Sequence, residues 1–197
     1  MKKILYLECN SGISGDMTVA ALLDLGADRQ KMKHVLESME VEGYRLEFRM
    51  VEKRGIQACK FDVILEEDDE HETEHHHGTH HSHTHRNLED ICKIIEKADA
   101  EIRVKDLAKK MFRIVAEAES AVHGLPVNQV HFHEVGAVDS IVDLMAAAFC
   151  FCDLGIEEVV VSALGEGSGF ITCQHGTIPV PVPATVEIAR KYGLSMS

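Results

Sequence analysis

Between Ala137 and Leu154 the chain carries almost nothing but apolar side chains, and from Leu144 to Cys152 the run is unbroken. A helix that is hydrophobic on every side has no face to give to water, so this segment has to be the buried axis around which the other elements pack. The unbroken run is about half of the ~20 residues that a membrane span requires. A chain of 197 residues can bury roughly 70% of its unfolded surface, enough to build the shell such a helix needs. Aromatic residues make up 5% of the chain and tryptophan is absent, so the core is expected to be aliphatic.

The flanking patterns supply that shell. Ile4 to Cys9 reads as a short buried strand, and Asp16 to Leu25 as a helix stopped at Gly26. After Asp28, residues Met32, Val35, Leu36 and Met39 recur at helical spacing, and Gly43 ends that helix. Tyr44, Leu46, Phe48 and Met50 alternate with charged residues, Lys53-Arg54-Gly55 turns the chain, and Phe61, Val63 and Leu65 alternate again, which predicts a β-hairpin. Asn87 is a good N-cap for a helix reaching Ala98, and a second helix runs from Val104 to Val122, closed by Gly124 and Pro126. Gln129 to Glu134 and Glu158 to Ala163 read as short strands. Gly165 to Pro183 is rich in Gly and Pro; its alternating prolines exclude a central strand and predict an extended, exposed or edge segment, read as an interdomain connector. Ala184 to Tyr192 is a terminal helix. The expected fold class is α/β: a mixed sheet with a β-hairpin and packed helices. The organisation expected is an N-terminal α/β segment over 1–65, a disordered loop rich in histidine and acid over 66–86, and the remainder of the same domain over 87–197.

Twenty Lys and Arg against 33 Asp and Glu leave a formal charge of −13, which argues against a nucleic-acid partner because phosphate binding relies on basic side chains. Small molecules, metal ions and protein partners, including a second copy of the chain, stay open. The opening Ile4-Leu5-Tyr6-Leu7 run is broken by Glu8, too short for an export signal, and no membrane span is present, so a cytoplasmic protein is expected. Six cysteines without a CxxC pair fit reduced thiols acting as small buried hydrophobes.

Four segments carry groups suited to chemistry. Eight of fifteen positions from 71 to 85 are histidine: His71, His75, His76, His77, His80, His81, His83 and His85. Neutral imidazole binds Ni²⁺, Cu²⁺, Zn²⁺ and Co²⁺ well, so the tract reads as metal capture, with a merely solvating loop as the alternative. In the second segment a strand would point His131 and His133 to one side, while Asp139 and Asp143, four apart, share one face of the following helix. Asp143 lies in an apolar background where a carboxylate is costly unless paired or bound to a cation, so a fixed metal or substrate site is expected, against a structural polar network. Third, Ser14-Gly15-Asp16 opens a helix whose free N–H groups suit an anion; Asp16 repels a bare phosphate, a conflict that a bridging Mg²⁺ or Mn²⁺ resolves, and a capped helix start is the alternative. Fourth, His175 precedes the proline motif as a ligand, a base or a structural histidine.

Together, Ser11 to Leu25 (SGISGDMTVAALLDL), Val130 to Asp143 (VHFHEVGAVDSIVD) and Gly165 to Thr185, with its HGTIPVPVPAT, resemble the LarC family, the nickel-insertion proteins of nickel-pincer cofactor biosynthesis, in the family's order. The resemblance implies a cytoplasmic nickel chelatase or cyclometallase of the lyase class. Such a protein inserts Ni²⁺ into pyridinium-3,5-bisthiocarboxylic acid mononucleotide as a sulfur–carbon–sulfur complex, using CTP with Mn²⁺ or Mg²⁺, for nickel-pincer enzymes such as lactate racemase. Family members continue for about as long again, and the CTP site is expected in that C-terminal half, so these residues alone are expected to give incomplete activity. In this reading the tract recruits nickel, and His131, His133, Asp139 and Asp143 hold metal. Ser14, Gly15, Asp16 and His175 bind the mononucleotide, and His133 or Glu134 takes the ring proton. A nickel storage or delivery protein, and a metal-dependent phosphohydrolase, are the competing readings.

Overall fold

The computed structural model describes residues 2–65, 86–132, 137–173 and 176–197, without the side chains of His131 and Cys173. The histidine tract, His133, Glu134 and His175 therefore lie outside the described residues, as does the order or disorder expected of 66–85.

The all-apolar segment is α5 (Val138–Asp153), and it is the axis expected of it: Ile141, Val142, Met145, Ala146, Ala148 and Cys150 are buried on every side. Four elements pack on it. They are α1 (Gly15–Asp24), α2 (Arg29–Glu37), α4 (Ile102–His123) and β3 (Ile56–Leu65), the second arm of the hairpin that begins with β2 (Tyr44–Lys53). Each element turns its apolar stripe inward: Val19 and Leu22 from α1, Met32, Val35 and Leu36 from α2, Phe112 and Ala116 from α4. Phe61 joins from the hairpin, stacked against Phe48 at 5.3 Å. Phe112, Phe132 and Phe149 are buried as well, the rest of the core is aliphatic or sulfur-containing, and among the described residues no polar or charged residue is buried as a whole.

Local signals set the element ends. The β2–β3 turn holds Arg54 at φ 53° and Gly55 at φ 78°, the two positive φ values that a tight hairpin turn matched to strand twist requires. Asn87 and Asp90 form a reciprocal capping box at the start of α3 (Leu88–Lys97). A two-residue strand just before it, β4 (Arg86–Asn87), pairs antiparallel with β5 (His131–Phe132), so Asn87 lies opposite His131. Gly124 ends α4 in the left-handed conformation.

The mixed α/β class and the hairpin expected from the sequence are present, with the described strands distributed over four two-stranded pairs. Two of these refine the expectations. β1 (Ile4–Leu7) pairs in parallel with β6 (Glu158–Val161), yet it is not the buried strand its composition suggests, because Ile4 and Tyr6 stay exposed on a pair that none of the described residues covers from that side. The Gly/Pro-rich segment, expected to be extended, exposed or edge, contains β7 (Gly169–Cys173) and β8 (Gly176–Val180), paired antiparallel with Phe170 opposite Pro179. Pro179 is tolerated because a two-stranded pair offers an edge, where the missing N–H breaks no further ladder. The chain ends with α6 (Pro183–Tyr192), which packs on α4.

Candidate metal and substrate site

The beginnings of α1 and α5 meet at a very short distance. A Cβ placed on Gly15 would lie 2.4 Å from Asp143 Oδ2 and 2.8 Å from Asp143 Cβ, so only glycine permits this crossing. Gly15 thus serves helix packing, a different reason from the ligand approach that its place before a helix suggests. The contact brings Asp143, one turn into α5, onto the first turn of α1, beside the Asp16 amide, which favours the charged form of its carboxyl.

Three carboxylates share this place. Asp143 feels the negative charge of both Asp16 and Asp139, and Oδ1 of Asp139 and Oδ1 of Asp143 are buried without a hydrogen-bond partner among the described residues. Burial, and then the charges of Asp16 and Asp139, push the Asp143 carboxyl up to about 7, while the Asp16 amide pulls the other way. Ser14 is the N-cap of α1 by position, but its hydroxyl donates to Asp16 Oδ1 and its oxygen accepts from no helix amide, so a capped helix start does not account for Ser14. Its carbonyl accepts from the Thr18 N–H and hydroxyl, which fixes the turn.

Two segments separated in the sequence reading are therefore one cluster, Ser14, Gly15 and Asp16 from α1 with Asp139 and Asp143 from α5. Orphaned buried oxygens with like-charged neighbours suit a hard divalent cation, which takes carboxylate oxygens and relieves their repulsion. Among the described residues no group of three or more His, Cys, Asp or Glu stands in metal-holding geometry. His131 lies on β5, whose neighbouring strand β4 begins where the histidine tract ends in sequence. The sequence reading missed the Asp16–Asp143 approach; the signal available to it was a glycine at a helix start together with a lone acid inside an apolar helix.

The five described cysteine side chains are free thiols. Burial pushes Cys150 up to about 12, with Asp153 adding to it, and raises Cys59, Cys92 and Cys152 as well, the behaviour of packed thiols kept from ionising. No described helix is long and apolar enough to cross a membrane.

A carboxylate cluster stands at the start of two crossing helices on an α/β scaffold, and comparison with known proteins gives the family. The family described as nickel insertion protein matches residues 5–196, and the chain belongs to that family. It is 52% identical over 200 residues to the pyridinium-3,5-bisthiocarboxylic acid mononucleotide nickel insertion protein of Alkaliphilus metalliredigens, a match covering 100% of this chain and 48% of the relative. To the proteins of the same description in Geobacillus kaustophilus and Akkermansia muciniphila it is 47% and 44% identical, over 95% and 100% of this chain and 45% and 47% of those relatives. The chain thus spans about half the length of the curated relatives it matches. No solved structure matches it.

Proposed function

We propose that the chain takes part in inserting nickel into pyridinium-3,5-bisthiocarboxylic acid mononucleotide, as the names of its relatives state for them. The observation that carries this reading is the pair of buried, unpartnered oxygens on Asp139 and Asp143 beside Asp16, a cluster that needs a cation to be satisfied.

In this reading nickel is substrate. The tract of His71, His75, His76, His77, His80, His81, His83 and His85 collects it, since imidazoles prefer nickel to magnesium or manganese. The tract is followed directly by β4, paired with His131 and Phe132, so its end lies beside a candidate ligand on the way into α5. His131 and His133 with Asp139 and Asp143 then hold the ion in a fixed place. Ser14, Gly15 and Asp16 bind the mononucleotide phosphate through Mn²⁺ or Mg²⁺, which offsets the repulsion between Asp16 and the phosphate. His175 contributes to the same binding. Forming a nickel–carbon bond requires loss of the ring proton, and His133 or Glu134 is the base that accepts it. CTP belongs to the other half of the relatives' length, and the product serves a nickel-pincer enzyme such as a lactate racemase. The reaction is that of a lyase-type cyclometallase working in the cytoplasm, organised over 1–65, the tract at 66–86 and 87–197.

Nickel titration of three proteins tests this. Removing residues 66–86 is expected to abolish most bound nickel and leave a residual site; Asp139→Asn with Asp143→Asn is expected to remove the residual site and keep the rest. Unchanged nickel binding in the deletion rejects recruitment by the tract, and a residual site that survives the double change rejects the carboxylate cluster. A storage protein would bind nickel at the tract and lack the residual site.

A further inference from the structure

Parallel strands occur almost entirely in sheets covered on both faces, and a two-stranded pair is marginal by itself. The β1–β6 pair breaks both rules. Its register places Tyr6 beside Val160, with Ile4 two residues before Tyr6 on the same face; these three are 59%, 44% and 58% exposed. Among the described residues no strand pairs with the outer edge of β1 either. The carbonyls of Lys3, Leu7 and Cys9 accept from residues 157–158, 162 and 165, so odd-numbered residues face β6 and the N–H and C=O groups of Tyr6 point the other way. Along that side a groove of about 430 Å³ separates β1 from α1, lined by Leu5, Leu7, Ile13, Met17 and Leu25, of which Ile13, Met17 and Leu25 are exposed.

We infer that this groove seats the part of the family's polypeptide that lies outside these 197 residues, which lays an apolar strand along the outer edge of β1. One observation chooses this occupant: the curated relatives have about as much chain again, 48% of the Alkaliphilus protein being matched here. A second copy is the poorer occupant, since each copy carries a net charge of −13.

Amide hydrogen exchange tests the inference on two intact proteins, this chain and the whole Alkaliphilus metalliredigens relative. The Tyr6 and Glu8 amides of this chain are expected to exchange quickly, and the matching amides of the relative to exchange about tenfold more slowly or less quickly still. Equal, fast exchange in both proteins overturns the inference. So does protection in this chain alone that rises with concentration alongside a dimer mass, which would give the groove to a second copy. Neither result depends on nickel, so the site reading stands or falls separately.

Discussion

The α1–α5 crossing and the β1–β6 pair depart from ordinary packing in opposite senses. At the crossing the protein buries carboxylate oxygens with no partner; at the strand pair it leaves Ile4, Tyr6 and Val160 in water with no cover. An unsatisfied buried polar group costs about 1–3 kcal/mol, and an uncovered parallel pair forgoes the burial that normally holds one together. Between these two margins the core is complete: α5 is surrounded, and no described polar residue is wholly buried. Stability therefore comes from the helices and the hairpin; in the readings proposed above, a cation would complete one margin and apolar polypeptide the other.

The sharpest test of this division lies within α1, whose two faces belong to different regions. Leu22 is 1% exposed in the core, and Met17 borders the open groove. Leu22→Ala is expected to cost about 3 kcal/mol through lost burial and a residual cavity, and Met17→Ala no more than about 0.5 kcal/mol, both measured by urea unfolding. A Met17 cost equal to that of Leu22 would mean the groove is filled in this chain, and the contrast would collapse. Smaller, and confined to the crossing, is Gly15→Ala. The added methyl meets Asp143 close to its backbone end, so a helix must shift, at an expected cost of about 2 kcal/mol. The same change at Gly55 is a poor control, because strain at its φ of 78° acts without any contact.

Features fixed by neighbouring residues were legible in the sequence. The apolar run at α5, the period of two in β2 and β3, the Arg54-Gly55 turn, the Asn87 cap and the Gly124 stop all depend on local spacing and backbone chemistry. What depends on a distant partner was not. β1 is apolar enough to look buried, but burial is decided by β6 and by what lies over the pair. The alternating prolines marked β8 as extended or edge chain, but its pairing with β7 was not legible from local spacing. At the site, Asp139 and Asp143 were legible as one helical face, whereas their meeting with Asp16 rests on how closely α1 crosses α5.

The smallest expected effect concerns the charge of the crossing itself. In metal-free protein Asp143 is protonated up to about pH 7, raised from 3.8 by burial first and by Asp16 and Asp139 next. The folded state therefore keeps a proton that the unfolded chain releases, and the sign follows: stability falls as pH rises from about 4 to about 7, then levels off, with no such effect below the unfolded value. Asp143→Asn keeps an oxygen for the Asp16 amide and removes the titration. It is expected to flatten this part of the pH profile and, above pH 7, to exceed the parent by about 1 kcal/mol, discounted for the water that reaches the side chain. A divalent cation that occupies the cluster would favour the same folded state by mass action. Added Mn²⁺ is thus expected to restore the parent's stability at high pH and to leave Asp143→Asn unchanged in a denaturant titration. A pH slope that persists in the variant assigns the titration to another group, and stabilisation of both proteins by Mn²⁺ places the cation elsewhere.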